Sequence, residues 1–95
     1  MRTLIYSVFD KKTGVYGQPF FLNHETHAIR AVQQAANDLT TSIGQYPGDY
    51  ALYCLGNFDD ASGGFDDLNP QHVIEITSLV YNQPLNDGLF SEENE

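Results

Sequence analysis

The side chains able to do covalent or metal chemistry are few in this sequence, and each lacks a companion. Cys54 is the single thiol. It stands between Tyr53 and Leu55 with no base beside it, whereas a reactive thiol needs an electropositive, accessible setting. A buried structural cysteine is expected there. His24 and His27 are three residues apart, which puts two imidazoles on neighbouring positions of a helix. A zinc site needs a third ligand, and only Glu25 and His72 offer themselves, so the pair reads as exposed helix histidines. The acidic, Gly-containing run from Asn57 to Asp67 invites a calcium reading. No registration of it gives the acids, the turn glycine and the closing Glu of an EF-hand loop, so it reads as a hydrophilic turn. Gly14-Val15-Tyr16-Gly17 lacks the Lys-Ser/Thr of a phosphate loop. With no nucleophile beside a base and no complete ligand set, the chain is expected not to be an enzyme, and to need no cofactor or metal.

Nucleic-acid chemistry is the next candidate. Single strands stack on rings beside a basic groove. Rings are plentiful, with six Tyr and six Phe, but the bases are only Arg2, Lys11, Lys12 and Arg30. Lys11 and Lys12 fall on an expected turn with Tyr16 close behind. Arg2, Lys11, Lys12, Tyr16 and Arg30 are therefore the candidate nucleic-acid contacts. Against them stand thirteen acids and a net charge of −9. Such a chain repels phosphate backbones and anionic membranes at long range, and a local basic patch acts only within a Debye length of about 8 Å. The balance favours a basic protein surface as partner and no membrane. All the bases lie in the first third of the chain, so the charge is strongly polarised.

The elements that would carry these residues follow from periodicity. Residues 3–9 alternate as a strand, with Leu4, Tyr6 and Val8 on one face and Ile5 and Phe9 on the other. Asp10 to Gly14 is a turn, and Val15 to Leu22 is a second extended run. Pro19 marks that run as edge or bulged. Asn23 is the expected N-cap of a helix over 24–39, whose apolar stripe is Ala28, Ile29, Val32, Ala35, Ala36 and Leu39. Residues 40–49 read as a loop. Tyr50 to Phe58 is apolar on both faces and reads as a central strand. Residues 59–70 read as a connection and His72 to Thr77 as a last strand. No internal repeat stands out.

A chain of 95 residues is one domain's worth. The expected architecture is α+β, in the order β-β-α-β-β: an antiparallel sheet of about four strands with one helix packed on one face. Residues 1–80 form the domain and 81–95 an acidic, mobile tail, in which Leu85, Leu89 and Phe90 offer a short docking segment at most. One helix cannot cover both faces of a sheet, so a homodimer or larger homo-oligomer is expected, through the second face or through the edge holding Pro19. The single cysteine, and an N-terminus that runs straight into a strand with no leader pattern, suggest a soluble intracellular protein.

The ordered set Ile5-Tyr6-Ser7-Val8-Phe9-Asp10, Gly14-Val15-Tyr16-Gly17-Gln18-Pro19-Phe20-Phe21, Ala28-Ile29-Arg30 and Asp49 to Asp59 followed by Gly63 resembles the small nonstructural proteins of gokushovirus-type phages of the family Microviridae. These are often labelled single-stranded-DNA synthesis or DNA-binding proteins. The resemblance spans about residues 4–77. It implies a phage protein of the host bacterial cytoplasm, acting in the replication stage that makes single-stranded circles for packaging. It carries no catalytic residues. Three roles stay open: binding a viral or host replication protein, binding single-stranded DNA directly, or serving as a minor structural or scaffold component.

Overall fold

The computed structural model describes residues 1–81. The expected acidic tail and its Leu85, Leu89 and Phe90 lie outside them, as does all but the first residue of the proposed tail segment. The fold is α+β, with an antiparallel sheet of six strands and one main helix.

The sheet is organised around two long strands, β1 (Arg2–Asp10) and β4 (Tyr50–Asp59), paired antiparallel along their whole length. Each carries two short strands on its outer side. β1 pairs with β2 (Val15–Tyr16) and β3 (Phe20–Leu22), whereas β4 pairs with β5 (Gly64–Asp66) and β6 (Gln71–Glu75). The expected second strand over 15–22 is thus two strands. Gly17 and Pro19 fall in the break, where Pro19 has no amide to give a ladder. Gly17 turns its own amide back to the Val8 carbonyl at 2.8 Å. The expected connection over 59–70 contains β5, and the last strand ends at Glu75 rather than Thr77. Ile76–Leu79 coils into a 3₁₀ turn that drops Ile76 and Leu79 into the core.

Helix α1 (Glu25–Ala36) is shorter than the expected 24–39. His24, not Asn23, is the N-cap, in extended conformation and with no side-chain cap bond. Asn37 closes the other end, and Leu39, expected in the apolar stripe, is 74% exposed. The chain leaves the helix there because Asp38 takes the Thr40 amide at 2.9 Å, while the Thr41 hydroxyl donates to the Ala35 carbonyl at 2.8 Å. The expected loop over 40–49 holds a one-turn helix, α2 (Ser42–Gln45), and a 3₁₀ turn at Pro47–Asp49. The Thr41 hydroxyl caps α2 by accepting from the Gly44 amide at 2.9 Å.

Side-chain alternation decides which face α1 covers. Tyr6 and Leu52 project to one face and pack with Ala28, Val32 and Ala36 of the helix and with Ile76 and Leu79. Leu4, Val8, Tyr50 and Cys54 flank this cluster. Leu52 and Ile76 are fully buried, and each contributes about 1.5–3 kcal/mol of apolar burial. The alanine-rich helix stripe lets the helix lie close to the sheet. None of the described helices is long and apolar enough to cross a membrane.

Candidate functional site

Two segments of the chain share a pattern: Phe9-Asp10, three residues, Gly14, one residue, Tyr16; and Phe58-Asp59, three residues, Gly63, one residue, Phe65. The structure folds both into the same hairpin. Each Asp side chain accepts from the amide two residues on, Lys12 at 2.9 Å and Ala61 at 3.0 Å. Each Gly amide returns to the Asp carbonyl at 2.8 Å. Each Gly takes a left-handed φ, +72° at Gly14 and +74° at Gly63, which strains any residue with a Cβ. Each hairpin then sets a second ring against its Phe. The Phe9–Tyr16 centroids are 4.6 Å apart with planes at 42°, and the Phe58–Phe65 centroids 5.2 Å apart at 44°. The expectation that the chain has no internal repeat is corrected for this eight-residue unit.

β1 and β4 run antiparallel, so the two hairpins leave opposite ends of the sheet. Their rings nevertheless share a face. Phe58 stands opposite Thr3, and Thr3 and Phe9 have the same parity on β1. This is the face turned away from α1. Tyr53 stands opposite Ser7 and joins the first pair, with its ring 5.5 Å from both Phe9 and Tyr16. His72, opposite Tyr53, packs edge-on at 5.5 Å. Phe21, opposite Ile5, packs edge-on to Phe58 at 6.3 Å. Phe21, Phe58 and Phe65 line an apolar cleft of about 480 Å³ together with Thr3 and Asp60. Among the described residues no helix covers this face, and Phe21 and Phe65 remain 49% and 52% exposed. Exposed aromatic patches of this kind mark interaction sites.

The five candidate nucleic-acid contacts are only partly brought together. Lys11, Lys12 and Tyr16 share the first hairpin at one end of the sheet. Arg2 lies at the other end of β1, about 26 Å away at strand rise. Its guanidinium pairs with Asp66 at 2.7 Å and also donates to the Asn57 side chain. Arg30 is exposed on α1, on the far side of the sheet from the rings. Lys11 is held by Glu75 at 2.5 Å, and the other oxygen of Glu75 lies 2.6 Å from His72 Nε2. The Lys11 bond first, and the His72 bond second, hold the Glu75 carboxyl below its ordinary 4.5. At the opposite end, Asp60 takes the Met1 amine at 2.6 Å. Asp59 is held low chiefly by the backbone bond from Ala61.

The opposite face has a cleft of mixed polarity of about 410 Å³ beside the start of α1, lined in part by Leu4, Glu25, Cys54, Asn57, Asp67 and Val73. Cys54 is half-buried, with its thiol 3.7 Å from the Gly56 carbonyl. Glu25 accepts from the Tyr6 hydroxyl at 3.0 Å. His24 and His27 pack edge-on at 5.4 Å, and His72 is engaged with Glu75. Among the described residues no three His, Cys, Asp or Glu side chains are grouped to hold a metal ion.

The sequence places Phe9 on the second face of its strand but does not announce the Phe21–Phe58–Phe65 cluster. The available signal was the recurrence of the Phe-Asp-x-x-x-Gly-x-aromatic spacing at 9–16 and 58–65. No curated protein and no solved structure matches the chain. A family model described as Phage ORF5 protein matches residues 3–79, a span covering every strand but the first residue of β1 and taking in the helix and both hairpins. The chain belongs to the phage ORF5 protein family.

Proposed function

We propose that this phage protein is a non-enzymatic accessory of viral genome replication. In this reading it belongs to gokushovirus-type phages of the family Microviridae and works in the host bacterial cytoplasm. It acts at the switch to single-stranded DNA synthesis and packaging by binding a viral or host replication protein. The observation that favours a protein over DNA is the disposition of the four basic side chains. Arg2 is engaged by Asp66 and Lys11 by Glu75, while Lys12 and Arg30 sit on separate elements. A phosphate backbone gains affinity by releasing counterions along a continuous basic track, and these four do not form one. A basic protein surface instead meets exposed Asp38, Asp60 and Asp67 on a chain of net charge −9. Affinity capture with the tagged full chain from infected host cells is expected to recover the phage initiator or a host replication protein. Capture that repeatedly yields neither rejects the reading.

Direct single-stranded-DNA binding is the second reading, and Tyr16 and Tyr53 beside the lysine-bearing turn favour it. Fluorescence titration with oligothymidylate separates the two. The protein-partner reading expects no binding even at low salt. Affinity that falls steeply as salt rises would move the function to DNA.

A further inference from the structure

We infer that the open aromatic face is closed by a second copy of this chain, stacked face to face with its strands reversed, so that the first hairpin of each copy lies over the second hairpin of the other. The two hairpins are built alike, but their turns differ in charge. Between Asp and Gly the first carries Lys11-Lys12-Thr13 and the second Asp60-Ala61-Ser62. Lys11 and Asp60 occupy equivalent positions in the two turns, Lys11 already paired with Glu75 and Asp60 with the Met1 amine, and exposed Lys12 adds a second positive charge to the first turn. The ring pairs beside them have nearly the same geometry, with planes at 42° and 44°.

A two-fold axis lying between the sheets, across the strands, exchanges the ends of the face. It brings the lysine-bearing turn of one copy to the Asp60 turn of the other, and does so twice, as a two-fold interface must. Stacking without reversal would set Lys12 against Lys12 at one end and Asp60 against Asp60 at the other. The same operation carries the protruding Tyr16 of one copy to the cleft of Phe21, Phe58 and Phe65 in the other. Aligned sheets pack in this way with their side chains interdigitated. The overall charge of −9 opposes association only weakly, because repulsion between exposed charges is screened beyond about 8 Å while the turns meet at close range. The inference does not depend on the replication reading, since it concerns the purified chain alone.

The test is a charge-exchange pair read by sedimentation equilibrium. Lys12 and Asp60 are exposed, and circular dichroism checks that each variant folds. The wild type is expected to be a dimer. Lys12→Glu alone and Asp60→Lys alone are each expected to weaken it by about tenfold or more, because each change creates two repulsive contacts. Mixing the two variants is expected to restore a dimer, since in the mixed pair every turn meets an unlike charge. Placing both substitutions in one chain is expected to restore it too. A wild type that stays monomeric at high concentration overturns the inference. So does a dimer indifferent to both single changes, which would point to edge-strand pairing through β3. Failure of the mixture to recover overturns it as well.

Discussion

Tyr6 places a hydroxyl at the edge of the core, beside the start of α1. The residue is fully buried, and its hydroxyl donates a hydrogen bond of 3.0 Å to Glu25 at the start of α1. Burial, and then the Glu25 bond, push the phenol well above its ordinary 10.0. A phenol whose pKa is raised on folding contributes stability that is fully present below the unfolded value and lost as pH rises above it. The wild type is therefore expected to lose stability steeply above pH 10.0. Tyr6→Phe should cost about 0.5–1.5 kcal/mol near neutral pH and flatten the alkaline loss, as measured by urea unfolding across pH. Sequence alternation put Tyr6 on the core face. It could not supply the Glu25 partner nineteen residues away, because that depends on where the helix lands on the sheet.

At the scale of elements, Asn37 joins the end of α1 to the chain beyond β6. Its amide donates to the Gln33 carbonyl at 2.8 Å and to the Leu79 carbonyl at 2.9 Å, and its side-chain oxygen accepts from the Tyr81 amide at 2.8 Å. One side chain thus closes a helix and clamps the 3₁₀ turn that carries Ile76 and Leu79 into the core. Asn37→Ala leaves half-buried carbonyls without these donors. It is expected to destabilise the fold by about 1–3 kcal/mol and to speed hydrogen exchange at the Tyr81 amide. In sequence Asn37 falls inside the expected helix over 24–39 and outside its apolar stripe. Its use as a three-way clamp depends on residues more than forty positions away. The hairpins were the reverse case. Their Asp-to-Gly spacing is local chemistry, and the first was legible at once because Gly14 follows a strongly alternating strand. The second was hidden by an acidic, Gly-rich run that looked like a loop.

At the scale of the whole molecule, Glu75 ties the last strand to the first turn through Lys11 and to His72 on its own strand. A carboxyl held below its ordinary value contributes stability that is present above pH 4.5 and lost as pH falls through the folded value. Glu75→Gln is expected to shrink the acid-side loss of stability relative to wild type, as read from thermal unfolding between neutral pH and pH 4.5 and below. The same tie helps decide the chain's chemistry. It takes one of only four basic side chains away from any phosphate, while Arg2 is taken by Asp66 at the other end of the sheet. The molecule is left with an aromatic face whose two ends differ in charge.

The alternation of 3–9 and 50–58, the helical stripe around Val32 and the turn at 10–14 were determined by the sequence itself. Each rests on contacts within a few residues and on burial that repeats with a fixed period. The charge of −9 was equally plain. Tertiary structure alone decided that Val15 to Leu22 breaks into two strands and that Phe58 and Phe65 form a ring pair matching Phe9 and Tyr16. It also decided that Arg2 and Arg30 stand apart from the lysines. Those outcomes depend on which strands pair and in what register, and pairing joins residues that are far apart in sequence. The few chemistry-bearing residues could be named from the sequence; only the antiparallel pairing of β1 with β4 set the two hairpins, one lysine-bearing and one acidic, at opposite ends of a single face.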